Sequence, residues 1–187
     1  FYHLCLMQFF KRKKEKLPPV RSALFVCTAN ITRSPSAEAL FKLEIEKTGE
    51  IWDISSAGVN AVKGIRAQKN ISILMHLNGV VLKNHRSQPL TPKLLNKYYW
   101  ILVMEIAHKE QILNKNPEVG NRVFTVREFG LDIPPDEPDM PDPTFSDNQD
   151  DYYNLLNILN YEIPRITRIL QIRNSDLDVS HDYNSYK

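Results

Sequence analysis

Cys27-Thr28-Ala29-Asn30-Ile31-Thr32-Arg33-Ser34 are the residues of this 187-residue chain whose types and spacing could do chemistry. They follow the apolar run Ala23-Leu24-Phe25-Val26 and lead into Pro35-Ser36-Ala37-Glu38-Ala39-Leu40, which reads as the opening of a helix. A thiol, five residues, an arginine and a hydroxyl at a strand-to-helix turn can hold a phosphate against a sulfur nucleophile. Backbone N–H groups in such a turn converge on an anion, and the helix N-terminus adds the positive end of its dipole. The same field favours the thiolate, the nucleophilic form of cysteine. Arg33 offers a planar fork matching two phosphate oxygens, and the Ser34 hydroxyl could donate to the sulfur. The spacing by itself is weak, because a buried structural cysteine ending a strand is the commoner case. Context favours the anion cradle: Cys27 closes the first strong strand, and Pro35 occupies a first-turn helical position.

Cleaving a phosphate monoester with a thiolate also needs a proton donor for the departing oxygen. The acid-rich stretch downstream offers Asp132, Asp136, Glu137, Asp139, Asp142 and Asp147. Most such residues are solvated loop acids. Asp142 is singled out by Pro141 and Pro143, which stiffen the backbone on both sides.

The elements that must position these groups alternate. Strand signals cover Ala23–Val26, Trp52–Ser56, Tyr99–Met104 and Arg122–Val126. Helical spacing covers Pro35–Lys47, Ala67–Leu77, Pro92–Lys97, Ile106–Asn114 and Asp150–Arg173, the last expected to be kinked or divided at Pro164. A long loop, Glu128 to Gln149, precedes it. This order predicts an α/β fold, a three-layer sandwich with a central four-stranded parallel sheet and helices on both faces. Ligands bind such sheets at the carboxyl ends of the strands, where Cys27 lies.

Forty-two per cent apolar residues and one quarter charged are ordinary for a globular domain of this size. The domain is expected over 22–173, after a basic and apolar extension over 1–21 and before a polar tail, 174–187, expected to be disordered. The net charge of +2 hides segregation: residues 131–151 hold eight acids and no base. No broad basic surface for nucleic acid is expected. Two cysteines make no disulfide framework and no cysteine pair has metal-ligand spacing; no metal or cofactor is expected, because the loop and Arg33 supply the positive field that a phosphate needs. In the extension, Phe1–Phe10 is too short to span a bilayer and precedes the Lys11–Lys16 cluster, the reverse of a signal peptide. It could rest at a membrane interface, its bases against anionic lipid, or be unstructured.

Val26-Cys27-Thr28-Ala29-Asn30-Ile31-Thr32-Arg33-Ser34-Pro35, with Glu38 on the next helix, resembles the active-site loop of the low-molecular-weight protein tyrosine phosphatases. Ser56-Ala57-Gly58, Asn84-His85-Arg86-Ser87, Val103-Met104-Glu105 and Pro141-Asp142-Pro143 resemble further family segments, in family order, from about Arg21 to Arg173. The Ser-Ala-Gly and Pro-Asp-Pro segments are most similar to the bacterial branch associated with exopolysaccharide production.

The resemblance implies Cys27 as nucleophile, Arg33 as phosphate clamp and Asp142 as general acid. Thr28, Ala29, Asn30, Ile31, Thr32 and Ser34 complete the phosphate-binding loop. Ser34 would stabilise the thiolate, and Asn30, Ser56 and His85 would hold the loop's shape. Val62 falls near the position that lines the family's substrate slot. The implied activity is metal-independent, cytoplasmic hydrolysis of phosphotyrosine through a phosphocysteine. The implied partner is a phosphotyrosyl protein such as a bacterial tyrosine autokinase. Two positions depart from the pattern. Thr32 replaces a second cysteine that can shield the nucleophile by a reversible disulfide, so Cys27 is expected to be lost more readily to irreversible oxidation. Thr144 stands where an aromatic residue usually follows the acid-loop Asp-Pro, with Phe145 one later. Two other functions remain open. A thiol-dependent arsenate reductase would share the fold but needs further cysteines, and none follows Cys27. A non-catalytic phosphotyrosine-binding regulator would need neither thiol nor acid.

Overall fold

The computed structural model describes residues 19–184, with side chains through residue 174. The expectations for residues 1–18 and 185–187, an interfacial anchor among them, lie outside the described residues.

Four strands form one sheet: β1 (Ser22–Cys27), β2 (Asp53–Gly58), β3 (Trp100–Val103) and β4 (Val123–Thr125). Their order is β2-β1-β3-β4 and every pairing is parallel. Every residue of β1 is buried, the burial expected of a central parallel strand covered on both faces. Alternation then divides its side chains. Ala23, Phe25 and Cys27 enter one core, while Leu24 and Val26 enter the other.

The first core is covered by α1 (Arg33–Thr48), α2 (Lys69–Leu77) and α5 (Gln149–Asn184). Helix α1 contributes Ala37, Leu40, Phe41 and Ile45, and α5 contributes Tyr152, Leu155, Leu156, Leu159, Ile163, Ile166 and Leu170. Both sets recur every three or four residues, the stripe a helix needs to lie on a sheet. Phe41 meets Phe25 and Trp52 edge-on at 5.4 and 5.5 Å. The opposite core gathers Leu95 of α3 (Pro92–Lys97), Ile112 of α4 (Ile106–Lys115) and Val119. The expected three-layer α/β sandwich with four parallel strands is therefore found.

Differences from the expected elements have local causes. Helix α5 is continuous through Pro164 rather than divided. Pro164 lies between Ile163 and Ile166, both anchored in the core, so packing holds the turn that proline weakens. The same helix passes its expected end at Arg173 and runs to Asn184 instead of giving way to a disordered tail at 174. No glycine or second proline occurs in 165–184 to stop it. A 3-10 turn over Pro117–Arg122, absent from the sequence reading, leads into β4.

Sheet order places the chemistry. From β1 the chain crosses to β2 on one side and later to β3 on the other, so a crevice opens at the carboxyl ends of β1 and β3. Cys27 ends β1 at that crevice, and the Met104 N–H donates to the Val26 carbonyl at 2.9 Å across it.

Candidate active site

Residues 28–32 connect β1 to α1, leaving Cys27 at a strand end and Arg33 in the first turn of a helix. That turn carries no acidic side chain and no side-chain cap, which suits an outside anion as its acceptor. Cys27 is buried, and its Sγ lies 3.0 Å from Ser34 Oγ.

Asn30 sets the loop's shape. Its φ is 56°, a left-handed conformation that asparagine tolerates better than most residues. Its backbone N–H donates to Cys27 Sγ at 3.2 Å. Its side-chain amide donates to Ser34 Oγ at 2.9 Å and to Ser56 Oγ at 2.8 Å. Asn30 Oδ1 accepts from the Gln88 N–H at 2.9 Å, and its carbonyl pairs with His85 Nε2 at 2.7 Å. The Ser56 hydroxyl in turn donates to Glu38 Oε2 at 2.5 Å. The Ser34 hydroxyl, which accepts from Asn30, has two acceptors for its one proton, the Cys27 sulfur at 3.0 Å and the Ala57 carbonyl at 3.3 Å; pointed at the sulfur it would stabilise negative charge. The expected supporting residues Asn30, Ser56 and His85 are thus brought together with Cys27. Gly58 lets the ends of β1 and β2 close on this loop. A Cβ there would stand 2.5 Å from the Thr28 carbonyl oxygen and 2.9 Å from Asn30 N.

Arg33 is almost wholly buried and uses both terminal nitrogens. Nη1 donates to Glu105 Oε1 and to the Met140 carbonyl at 3.3 Å. Nη2 donates to Thr28 Oγ1 at 3.2 Å and to Asp142 Oδ2 at 2.5 Å. The Asp142 segment is fastened to the end of β3. The Met140 N–H donates to the Met104 carbonyl at 2.8 Å, and Asp139 Oδ1 accepts from the Ile106 N–H at 2.7 Å. Of the loop acids read from the sequence, Asp142 is the one that pairs with Arg33 among the described residues. Its side chain remains 35% exposed, so it can meet both substrate and water.

Three contributors escaped the sequence reading of roles. Glu105 follows β3 and is the second carboxylate on Arg33. His108, in the first turn of α4, is buried with Nε2 2.9 Å from Thr28 Oγ1. Because Thr28 Oγ1 accepts from Arg33, its hydroxyl proton is free to point at His108 Nε2, which requires a neutral imidazole. Burial pushes the His108 pKa below its ordinary value. Glu105 pulls it back up, Arg33 pushes it down further, and Asp142 and Asp139 oppose that fall.

The third contributor is Thr144, which the sequence marked only as a departure. Its hydroxyl lies 2.6 Å from Asp142 Oδ1 and 3.0 Å from Thr32 Oγ1. The Thr144 hydroxyl has one proton to give to either oxygen, and the shorter contact is the one to the Asp142 carboxylate. The two departures thus touch each other and join the anion loop to the acid loop. Thr144→Val keeps the shape and removes that donor. Its kcat for substrates with poor leaving groups should fall about three- to tenfold, the worth of one hydrogen bond. Activated aryl phosphates should be little affected; an equal loss on both would count against positioning of Asp142. Val62, expected near the substrate slot, is exposed.

The family model for low molecular weight phosphotyrosine protein phosphatase matches residues 22–175. The probable low molecular weight protein-tyrosine-phosphatase EpsP of Ralstonia nicotianae is 34% identical over 110 residues, 59% of this chain and 73% of that protein. A protein-arginine-phosphatase of Bacillus subtilis is 37% identical over 106 residues, 57% of this chain and 70% of that protein. The crystal structure of the tyrosine phosphatase Wzb from Escherichia coli K30, in complex with sulphate, superposes with a TM-score of 0.70 and 30% identity. It covers 80% of this chain and 98% of that one. The chain belongs to the low molecular weight phosphotyrosine protein phosphatase family, on the bacterial branch represented by EpsP.

Proposed function

We propose that this chain hydrolyses phosphotyrosine in a protein through a phosphocysteine on Cys27. The observation that carries the reading is the convergence of a thiol, a guanidinium and a carboxylate from distant parts of the chain, with Asp142 2.5 Å from Arg33 Nη2 beside the Cys27 loop. Arg33 and the loop amides hold the non-bridging phosphate oxygens, and the Cys27 thiolate attacks phosphorus in line. The bond from phosphorus to the tyrosine oxygen breaks as protonated Asp142 gives that oxygen its proton. Asp142 then takes a proton from water as the water oxygen attacks phosphorus, and the phosphorus–sulfur bond breaks to return the thiolate and release inorganic phosphate.

The Arg33–Asp142 pair gives this sequence an order. In the ligand-free site Asp142 Oδ2 accepts from Arg33 Nη2. An arriving phosphate competes for that nitrogen, so substrate binding frees the Asp142 carboxyl to face the departing oxygen.

Asp142→Asn should lower turnover of a phosphotyrosyl peptide by about 10²- to 10⁴-fold, with the smallest loss on the best leaving groups, as steady-state kinetics on a series of aryl phosphates would reveal. A uniform loss across the series would remove Asp142 from the acid role. Identity to a protein-arginine-phosphatase favours a second reading, cleavage of a phosphorus–nitrogen bond. Paired phosphotyrosyl and phosphoarginyl peptides of one sequence distinguish the two, and phosphotyrosine is expected to be preferred.

At the cellular level the reading is a cytoplasmic enzyme that acts on a bacterial tyrosine autokinase in exopolysaccharide production. The likeness to EpsP supports it. Among the described residues no helix is long and apolar enough to cross a membrane.

A further inference from the structure

Residues 54–104 contain seven lysines and arginines and no aspartate or glutamate, the counterpart of the acid-only stretch 131–151. Within this basic stretch a groove of about 570 Å³ runs beside α2 and residues 81–83. Helix α2 sends Ile71, Leu74 and Met75 into the core. Ile73 and Leu77, one turn apart on its other side, are 51% and 73% exposed and line the groove with Val81, itself 63% exposed. Arg66, Lys69 and Lys83 edge the same groove, no acid lines it, and none of the three bases has an ion-pair partner among the described residues.

Both walls are tied to the anion loop. The Gln68 N–H, between Arg66 and Lys69, donates to the Ile31 carbonyl at 2.8 Å. His85, two residues past Lys83, holds the Asn30 carbonyl at 2.7 Å. An extended chain whose phosphotyrosine sits over Cys27 advances about 3.3–3.6 Å per residue along these walls.

We infer that the groove docks the segment flanking the phosphotyrosine of the protein substrate, and that this segment is acidic and apolar. Its carboxylates pair with Arg66, Lys69 and Lys83, and its aliphatic side chains cover Ile73, Leu77 and Val81. The inference rests on the phosphotyrosyl-protein reading of the Cys27 site. Charge selects the occupant: a basic segment is repelled, and a purely apolar one leaves three cations without partners. The exposed Leu131-Asp132-Ile133 of a second copy has the same chemistry and is the competing occupant.

The test uses the full chain, a small aryl phosphate and two synthetic phosphotyrosyl peptides. One peptide is flanked by alternating Asp/Glu and Leu/Ile, the other by Ser and Gly. The acidic–apolar peptide should show a kcat/KM about tenfold higher, carried by KM. K69E/K83E and I73S/L77S should each erase that advantage and leave aryl phosphate turnover unchanged, which also reports that both variants are folded. Added salt should narrow the advantage. Equal rates on the two peptides, or a preference that survives both variants, overturns the groove but not the phosphotyrosine reading. Hydrolysis of the aryl phosphate with neither peptide cleaved overturns both. A sedimenting dimer that K69E/K83E dissolves assigns the groove to a second copy and overturns substrate docking.

Discussion

Cys27→Ser is expected to lower aryl phosphate turnover on the order of 10⁵- to 10⁶-fold, the scale of losing a nucleophile. The surroundings of the sulfur explain why so little should remain. Its near neighbours, the Asn30 N–H and the Ser34 hydroxyl, are donors that stabilise a thiolate. A serine hydroxyl at neutral pH is protonated and needs a base to take its proton, as a histidine does in serine hydrolases. The imidazoles near this loop are committed elsewhere: His85 holds the Asn30 carbonyl and His108 faces Thr28. Oxygen in place of sulfur leaves the hydrogen bonds of Asn30 to Ser56, Gln88 and His85 in place, so the anion cradle survives. Calorimetric titration with inorganic phosphate should therefore find binding in the variant whose turnover is lost. Turnover within tenfold of the parent would remove Cys27 from the chemistry.

Arg33→Met should cost both activity and stability. Turnover should fall about 10³- to 10⁵-fold, the range found when a positioned arginine is withdrawn from phosphoryl transfer. Stability should fall because Arg33 is the shared partner of Glu105 and Asp142, bringing two carboxylates together at the end of β3. Without it they face each other unneutralised. Breaking a fully buried pair costs about 3–5 kcal/mol, but both carboxylates keep partial access to water, so about 2–3 kcal/mol is expected from urea unfolding. Arg33→Lys separates the two effects. One ammonium can neutralise the carboxylates and recover much of the stability. It lacks the planar fork that reaches Thr28 Oγ1, the Met140 carbonyl and two phosphate oxygens together, so turnover should stay low. Recovery of both by lysine would reduce Arg33 to a point charge.

The part of the fold that was legible in the sequence was carried by periodicity and punctuation. The continuous apolar runs marked β1 and β3 as strands, and the expected boundaries of Pro92–Lys97 match α3. Cys27 and Arg33 were legible because their relation is local, fixed by one turn between strand and helix. Asp142 was legible through its two prolines. Glu105, His108 and Thr144 had no such signal. Their partners lie 72, 80 and 112 residues away, brought close by the pairing of β1 with β3 and by the fastening of the acid loop to β3. No local spacing encodes that adjacency. The continuation of α5 past Arg173 was missed for another reason. Its polar composition argues for disorder, while the absence of breakers lets a packed helix propagate.

Asn30 has a thermodynamic consequence of its own. Its five hydrogen bonds go to Cys27, Ser34, Ser56, His85 and Gln88, which belong to β1, α1, β2 and the segment before α3. The cradle therefore exists when all of those pieces are assembled and is lost when any one detaches. A phosphate held there binds the native chain and not its unfolded ensemble. Through linkage, the ion deepens the native basin in proportion to the logarithm of its concentration. On that reading the product that slows the enzyme by occupying its site also keeps the enzyme folded.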